Sequence, residues 1–331
     1  MTSLAGKRVL VTGADGFIGS HLTERLAAEG ANVRAFCFYN STGSWGWLDG
    51  LSPNLAPMVD VVLGDIRDPR QVLDACRDVE IVFHLAALIS IPHSYVAPSS
   101  FVDTNIRGTM NVLDAVRDAG CDRLINTSTS EVYGTPDSVP IREDHPLKGQ
   151  SPYSATKIAA DKLCEAYALS FGTPVVVLRP FNTYGPRQSA RAVIMTILAQ
   201  LLSGKRRIAL GSTSPKRDFT FVADTVDGFV RAATASITAG EVIQLGSGRA
   251  CSIQEVFEIA TRVTGVDAEV ELVAERVRPT ASEVQVLLSD PKLARERLGW
   301  KAQTTLESGI EQAAIWLREW LPKYRPDRYV V

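Results

Sequence analysis

Six short runs rich in β-branched and aliphatic residues, KRVLVTG (7–13), NVRAFCF (32–38), VDVVLG (59–64), EIVFHLA (80–86), DRLINTS (122–128) and TPVVVLRP (173–180), punctuate the first half of the chain. Between them stand helical patterns such as GSHLTERLAAEG, PRQVLDACRD and NIRGTMNVLDAVRDAG. Strands that alternate with helices of this length have to be joined by crossovers, and crossovers make a parallel sheet with helices on both faces. The expectation is an α/β, Rossmann-type doubly wound parallel sheet over residues 1–185, with later segments near 219–250 returning to it. Past residue 185 the alternation loosens around the Gly/Ser/Pro-rich loop LGSTSPKRDF, and helices are predicted near 190–203, 223–235, 252–264 and 304–320. Residues 186–331 are therefore expected to form mainly a smaller α/β substrate-binding lobe over the carboxyl edge of the sheet. A ligand crevice between two lobes follows.

Composition narrows the function classes. The chain has 331 residues, 45% of them hydrophobic, and a formal net charge of −2. Such a balance provides no broad basic field for nucleic acid or an anionic membrane. No apolar run approaches the roughly 18 residues that span a bilayer, and MTSLAGKRVLVTG leads straight into a glycine turn, so a cytoplasmic location is expected. Five scattered cysteines without a C-x-x-C pair, and four histidines without ligand spacing, predict reduced thiols and no metal.

Two motifs carry chemistry. In VLVTGADGFIGSHL, Gly13, Gly16 and Gly19 follow a strand and open a helix, where glycines let the backbone approach a pyrophosphate and a helix N-terminus binds it. A tight turn without a ligand is the bland alternative. Asp65 in LGDIRD can accept from an adenine amino group, although it also suits a helix start; His84 in HLAA reads as a satisfied core histidine ahead of small residues. In SPYSATK, Tyr153 and Lys157 stand four apart on one helix face, and an ammonium beside a phenol favours the phenolate. Thr129 adds a hydroxyl at the end of a strand.

These segments, with TSTSEVYG, RPFNTYGPRQ, RDFTFVADTVDG and RVRPTASEV, resemble in order those of the extended short-chain dehydrogenases/reductases that modify nucleotide sugars. The resemblance covers nearly the whole chain. It implies a catalytic set of Thr129, Ser130, Glu131, Tyr153 and Lys157. It implies a cofactor site lined by Gly13, Gly16, Phe17, Ile18, Gly19, Cys37, Asn40, Asp65, Ile66, Leu85, Ala86, Ala87 and Thr127 together with Tyr153 and Lys157. Ser90, Asn182, Arg187, Arg217 and Arg278 are implied on the side of a nucleoside-diphosphate sugar, and guanidinium forks do match phosphate oxygens. Pairing of the helices around 98–119 and 152–171 implies a homodimer or larger assembly.

Cys37 occupies the position where many such proteins carry an aspartate that binds the adenosine ribose. No arginine follows at once to welcome a 2′-phosphate, so NAD is expected, with NADP as the alternative. Glu131 in STSEVYG marks the reaction. Segments of this form resemble nucleotide-sugar 4,6-dehydratases, especially the NAD-dependent enzymes of amino-sugar (legionaminate-type) pathways, where a base must remove the C5 proton next to a C4 ketone. UDP-glucuronate decarboxylases show a similar segment, and 4-epimerases run the same hydride cycle without a base. A non-enzymatic dinucleotide sensor is the remaining alternative, disfavoured by the intact Thr129, Tyr153 and Lys157.

Overall fold

In the computed structural model, residues 3–277 and 279–326 are described. The first half runs β1 (Arg8–Thr12), α1 (Phe17–Ala28), β2 (Asn32–Phe38), β3 (Val59–Gly64), α2 (Pro69–Cys76), β4 (Ile81–His84), α3 (Ile91–Val96), α4 (Pro98–Phe101), α5 (Gly108–Ala119), β5 (Arg123–Thr127), α6 (Pro152–Phe171) and β6 (Val175–Pro180). The six strands coincide with the six apolar runs because such runs suit strands buried on both faces: β4 and β6 are buried at every position. With β10 (below) they form one seven-stranded sheet in the order β10-β6-β5-β4-β1-β2-β3, every pairing parallel. The direction of winding reverses between β1 and β4, and a crevice opens there at the strands' carboxyl ends.

The second half contributes β7 (Asn182–Tyr184), α7 (Val193–Leu202), β8 (Arg207–Leu210), β9 (Lys216–Phe221), α8 (Val222–Thr234), β10 (Val242–Leu245), β11 (Ala250–Ser252), α9 (Ile253–Thr264), β12 (Glu269–Leu272), β13 (Val286–Leu287), α10 (Lys292–Leu298) and α11 (Leu306–Tyr324). A small mixed sheet has β9 between β11 and β13, with β7 also on β9, and β12 pairs with β8. Helices α7, α9 and α11 pack on one another. Among the described residues no helix is long and apolar enough to cross a membrane.

One helix departs from its sequence pattern. NIRGTMNVLDAVRDAG reads as continuous, yet Val102–Arg107 forms a π-type turn ahead of α5. The wide turn places Asn105 inward, fully buried, where its side chain bonds both the N–H and the C=O of Leu88 and the hydroxyl of Thr156 on α6. Hydrophobic periodicity cannot report such a turn, because the driving force is polar.

The glycine turn is set by close approach. Gly13 has φ +68°, and a Cβ on it would lie 2.8 Å from the backbone N and Cα of Ala86. A Cβ on Gly19 would overlap the Gly13 carbonyl, lying 2.8 Å from its carbon. Gly19→Ala is expected to lower stability by about 1–3 kcal/mol through overpacking and to weaken dinucleotide binding with it; a wild-type melting curve and wild-type NAD affinity would contradict this packing.

Candidate active site

The crevice at the ends of β1, β4 and β5 gathers the two motifs. On its cofactor side, Gly16 caps α1 without a side-chain bond and no acid stands in the helix's first turn, so the N–H groups of Phe17 and Ile18 remain suited to an anion. Asp65 lies just past β3, and Arg67 holds its carboxylate through Nε at 3.0 and 2.9 Å. That bond, the largest influence on it, keeps the Asp65 carboxyl below the usual range. Ile66 is buried and supports Gly108 at the start of α5. Asn40 is spent on shaping its own loop, accepting from Thr42 and Ser44 and donating to the Phe38 and Ser44 carbonyls. The hydroxyl of Thr127, at the end of β5, is buried without a partner, as expected of a group facing a polar ligand, whereas the unpartnered Asn126 side chain lies fully in the core. This cradle fits a dinucleotide.

Cys37 requires a correction. Its side chain has no accessible surface and lies in the core beneath the turn, so it cannot touch a bound ribose. Because both faces of β2 are covered, its position near the strand's end did not imply exposure. The Cys37 thiol is pushed up to about 12 by burial and by the nearby Asp15 carboxylate.

His84 closes the floor. Thr109 Oγ1 donates its one proton to the Asn105 carbonyl (2.6 Å), so it accepts from His84 Nε2 at 3.2 Å. Thr12 Oγ1 accepts from the Leu85 and Ala86 amides, both at 3.2 Å, and donates to His84 Nδ1 at 2.8 Å. The imidazole is thus neutral, with its proton on Nε2, and it ties β1 and the small-residue loop of Leu85, Ala86 and Ala87 to α5.

The catalytic side is built on α6 and the end of β5. A capping box between Ser151 and Ser154 and a proline at the first turn start α6 where the motif requires. Tyr153, Lys157 and Asp161 then follow on one buried face. The Thr129 hydroxyl stands near enough to the Tyr153 phenol to favour its ionised form. Lys157 Nζ donates to the Thr127 carbonyl at 2.7 Å. Thr129 Oγ1 also accepts from the Glu131 amide at 3.2 Å, starting a tight turn over Ser130–Tyr133 in which Ser130 is buried. Glu131 is half-buried beside Tyr153, and among the described residues its carboxylate has neither a hydrogen bond nor an ion pair.

Burial pushes the Tyr153 phenol up; the Thr129 hydroxyl opposes this, and the charges of Glu131 and Asp161 add to it. Lys157 is itself pulled down by burial, with Asp161 acting against that. The Lys157 ammonium is bonded to the Thr127 carbonyl.

Beneath the turn lies a network that sequence reasoning missed. Asp161 Oδ2 accepts from Ser128 Oγ (2.8 Å) and from Arg179 Nε (3.0 Å), and Arg179 Nη1 donates to Tyr133 Oη (3.0 Å), which donates to Gln244 Oε1 (3.2 Å). One arginine on β6 therefore grips the Ser128–Tyr133 segment at both ends. The spacing of Asp161, four residues past Lys157, was the available signal.

The remaining residues are more dispersed. Ser90 caps α3 with φ +90°, a strained conformation for a side-chain-bearing residue and a recurrent mark of functional loops. Asn182 on β7 leaves its Oδ1 buried without a partner. Arg217 on β9 is buried and pairs with Glu283 at 2.8 Å. Arg187, at φ +69°, pairs with Glu24 on α1 at 2.8 Å through Nη2, while its Nη1 is buried without a partner. Arg278 lies outside the described residues.

Comparison with known proteins agrees with this architecture. The profile of the family described as GDP-mannose 4,6 dehydratase matches residues 10–313. A UDP-glucose 4-epimerase of Mycolicibacterium smegmatis is 34% identical, the match covering 94% of this chain and 98% of that protein. A dTDP-glucose 4,6-dehydratase of an Actinoplanes species is 33% identical over the same shares, 94% and 98%. A solved dTDP-glucose 4,6-dehydratase double mutant from Streptomyces venezuelae, with NAD bound, superposes with a TM-score of 0.86 at 29% identity, covering 96% of this chain and all of that one.

The buried imidazole makes stability sensitive to acid. Burial, then the Lys157 charge, lowers the His84 pKa from 6.5 to about 3, so the unfolded chain binds its proton first as pH falls. The stabilisation is complete above pH 6.5 and is lost as pH drops from there towards about 3, by up to about 1.4 kcal/mol per unit. Urea unfolding from pH 7 to 5 is expected to show a shallower acid slope for His84→Gln than for the wild type; equal slopes would remove this assignment.

Proposed function

Because the chain belongs to the GDP-mannose 4,6 dehydratase family of nucleotide-sugar-modifying short-chain dehydrogenases/reductases, we propose that it is an NAD-dependent nucleoside-diphosphate-hexose 4,6-dehydratase. The substrate is a hexose or an N-acetylhexosamine, and the product a 4-keto-6-deoxy sugar. The observation that carries the reading is the unpartnered, half-buried carboxylate of Glu131 beside Tyr153.

A nicotinamide dinucleotide held by the Gly13–Gly16 turn and the start of α1 would supply reversible hydride transfer, C4 to cofactor and cofactor to C6, with no net redox change. Tyr153 takes the C4 hydroxyl proton, and Thr129, at the end of β5 close to the phenol, orients that hydroxyl. Lys157 fixes the end of β5 against α6 through the Thr127 carbonyl. Glu131 removes the C5 proton made acidic by the C4 ketone and delivers a proton to the departing C6 hydroxyl, so one water leaves. Ser130 supports the turn from below. Asn182 and Arg217 suit the diphosphate: the first has a buried atom in want of a partner, and the second can exchange Glu283 for phosphate oxygens.

NAD is favoured over NADP on this chain's own residues. Arg34, the arginine nearest in sequence to the end of β2, is held by the Ala75 and Arg77 carbonyls, both at 2.9 Å. It has little freedom to meet a 2′-phosphate.

Glu131→Gln keeps size and polarity but not the base. With a panel of UDP-, GDP-, CDP- and dTDP-hexoses, the wild type is expected to give a product lighter by one water and, in deuterated water, labelled at C5. The variant should lose at least about a hundredfold in rate with no C5 label, in line with removal of a general base. A wild-type rate for Glu131→Gln would make the carboxylate a bystander. The relationship to a 4-epimerase supports a second reading, which predicts a product of unchanged mass from the same panel.

The functional unit is read as a cytoplasmic homodimer. Val102 and Met110 near α5, and Leu169 and Phe171 at the end of α6, are exposed large apolar side chains, Leu169 to 81%. A second copy would cover them. Light scattering at micromolar concentration should give twice the chain mass; a monomer would contradict it.

A further inference from the structure

We propose that Asp15, in the glycine turn, supplies the carboxylate that hydrogen-bonds the adenosine ribose and excludes a 2′-phosphate, in place of the acid that the end of β2 lacks. The inference rests on the reading that the chain uses a nicotinamide dinucleotide, and it assigns the group that chooses between its two forms.

In a doubly wound fold the ribose lies where the glycine turn meets the end of β2, and an acid there takes the vicinal hydroxyls. This chain offers no acid on β2, since Cys37 holds that place with its side chain buried. The turn and the strand end are nevertheless stitched together: the Gly13 and Ala14 amides both donate to the Phe36 carbonyl, at 2.9 and 3.4 Å. Asp15 is the next residue of the turn. Its carboxylate faces the Phe38 amide at the strand's last position and lies close to the Cys37 thiol. The acid missing from one side of the junction thus stands on the other.

The loop after β2 holds it there. The Trp47 amide donates to the Asp15 carbonyl at 3.1 Å, and Gly46, at φ +61°, comes so close that a Cβ on it would lie 2.9 Å from that of Asp15. Trp47 in turn packs edge-on against Trp316 and Trp320 of α11, with ring centroids 5.3 and 5.5 Å away. The loop is pinned by the far end of the chain, and Asp15 is pinned by the loop. Its carboxylate remains half-buried, and among the described residues no lysine or arginine pairs with it. Burial, the largest influence, raises this carboxyl above its ordinary range, so it gains from further donors. Two ribose hydroxyls provide them, whereas a 2′-phosphate would bring like charge onto a fixed anion.

Titration calorimetry of the purified full chain with NAD and with NADP tests this without any turnover. The wild type should bind NAD at least about tenfold more tightly than NADP. Asp15→Asn should weaken NAD by about tenfold, as for loss of a charge-assisted hydrogen bond, and bring the NAD-to-NADP preference down by at least as much. Asp15→Ser serves as a second variant should the asparagine disturb the turn, and thermal melting reports whether each is folded. Cys37→Ser should leave the preference unchanged. Equal weakening of both dinucleotides by the folded Asp15 variants, or no effect on either, would overturn the assignment while leaving the cofactor reading intact; failure of the wild type to bind either dinucleotide would overturn both.

Discussion

The buried ion pair between Arg179 and Asp161 is the contact on which the catalytic geometry depends. Both side chains are almost fully shielded from water, so their charges must answer one another and every remaining donor must find an oxygen. Arg179 meets this demand by reaching Tyr133, while Asp161 takes the hydroxyl of Ser128. These two residues bracket Thr129, Ser130 and Glu131. Breaking such a pair by removing one partner costs about 3–5 kcal/mol, and here the loss would fall on the placement of three site residues. A pair of this kind is a weak source of net stability; here it fixes the segment because Arg179 and Asp161 each also bond one of its ends.

The same acid links that platform to the tyrosine. Asp161 stands one turn beyond Lys157 and acts on both site groups: it supports the charge on the buried lysine and disfavours a charge on Tyr153. Lys157, from the same face, also holds the end of β5 through the Thr127 carbonyl.

The strands were legible because a doubly covered parallel sheet demands continuous apolar runs, and only such runs occupy residues 8–12, 32–38, 59–64, 81–84, 123–127 and 175–180. Glu131, Tyr153 and Lys157 were legible by spacing and by company. What escaped is polar and non-local. Arg179 sits in an apolar strand, and its partners lie 18 and 46 residues away. Asn105 acts through a π-type turn that no helical period reveals. Cys37 was misplaced for the opposite reason: in a strand covered on both sides, alternation does not say which residue faces a ligand.

Two separately anchored platforms result. Thr12, His84, Thr109 and Asn105 form one polar chain from the glycine turn, across the winding reversal, to the Thr156 hydroxyl on α6, which ties the cofactor cradle to the tyrosine helix. The Glu131 turn instead hangs from Arg179 on the neighbouring strand β6. Hydride exchange needs only the first platform to be rigid. Abstraction of a neighbouring proton needs the second to stay in register with it, and Asp161, bonded to the second while its helix carries the tyrosine of the first, is where the two meet. A scaffold arranged in this way can exchange the chemistry of its acid-bearing turn without disturbing the cofactor cradle, which accounts physically for epimerases and dehydratases sharing one architecture and about a third of their residues with this chain.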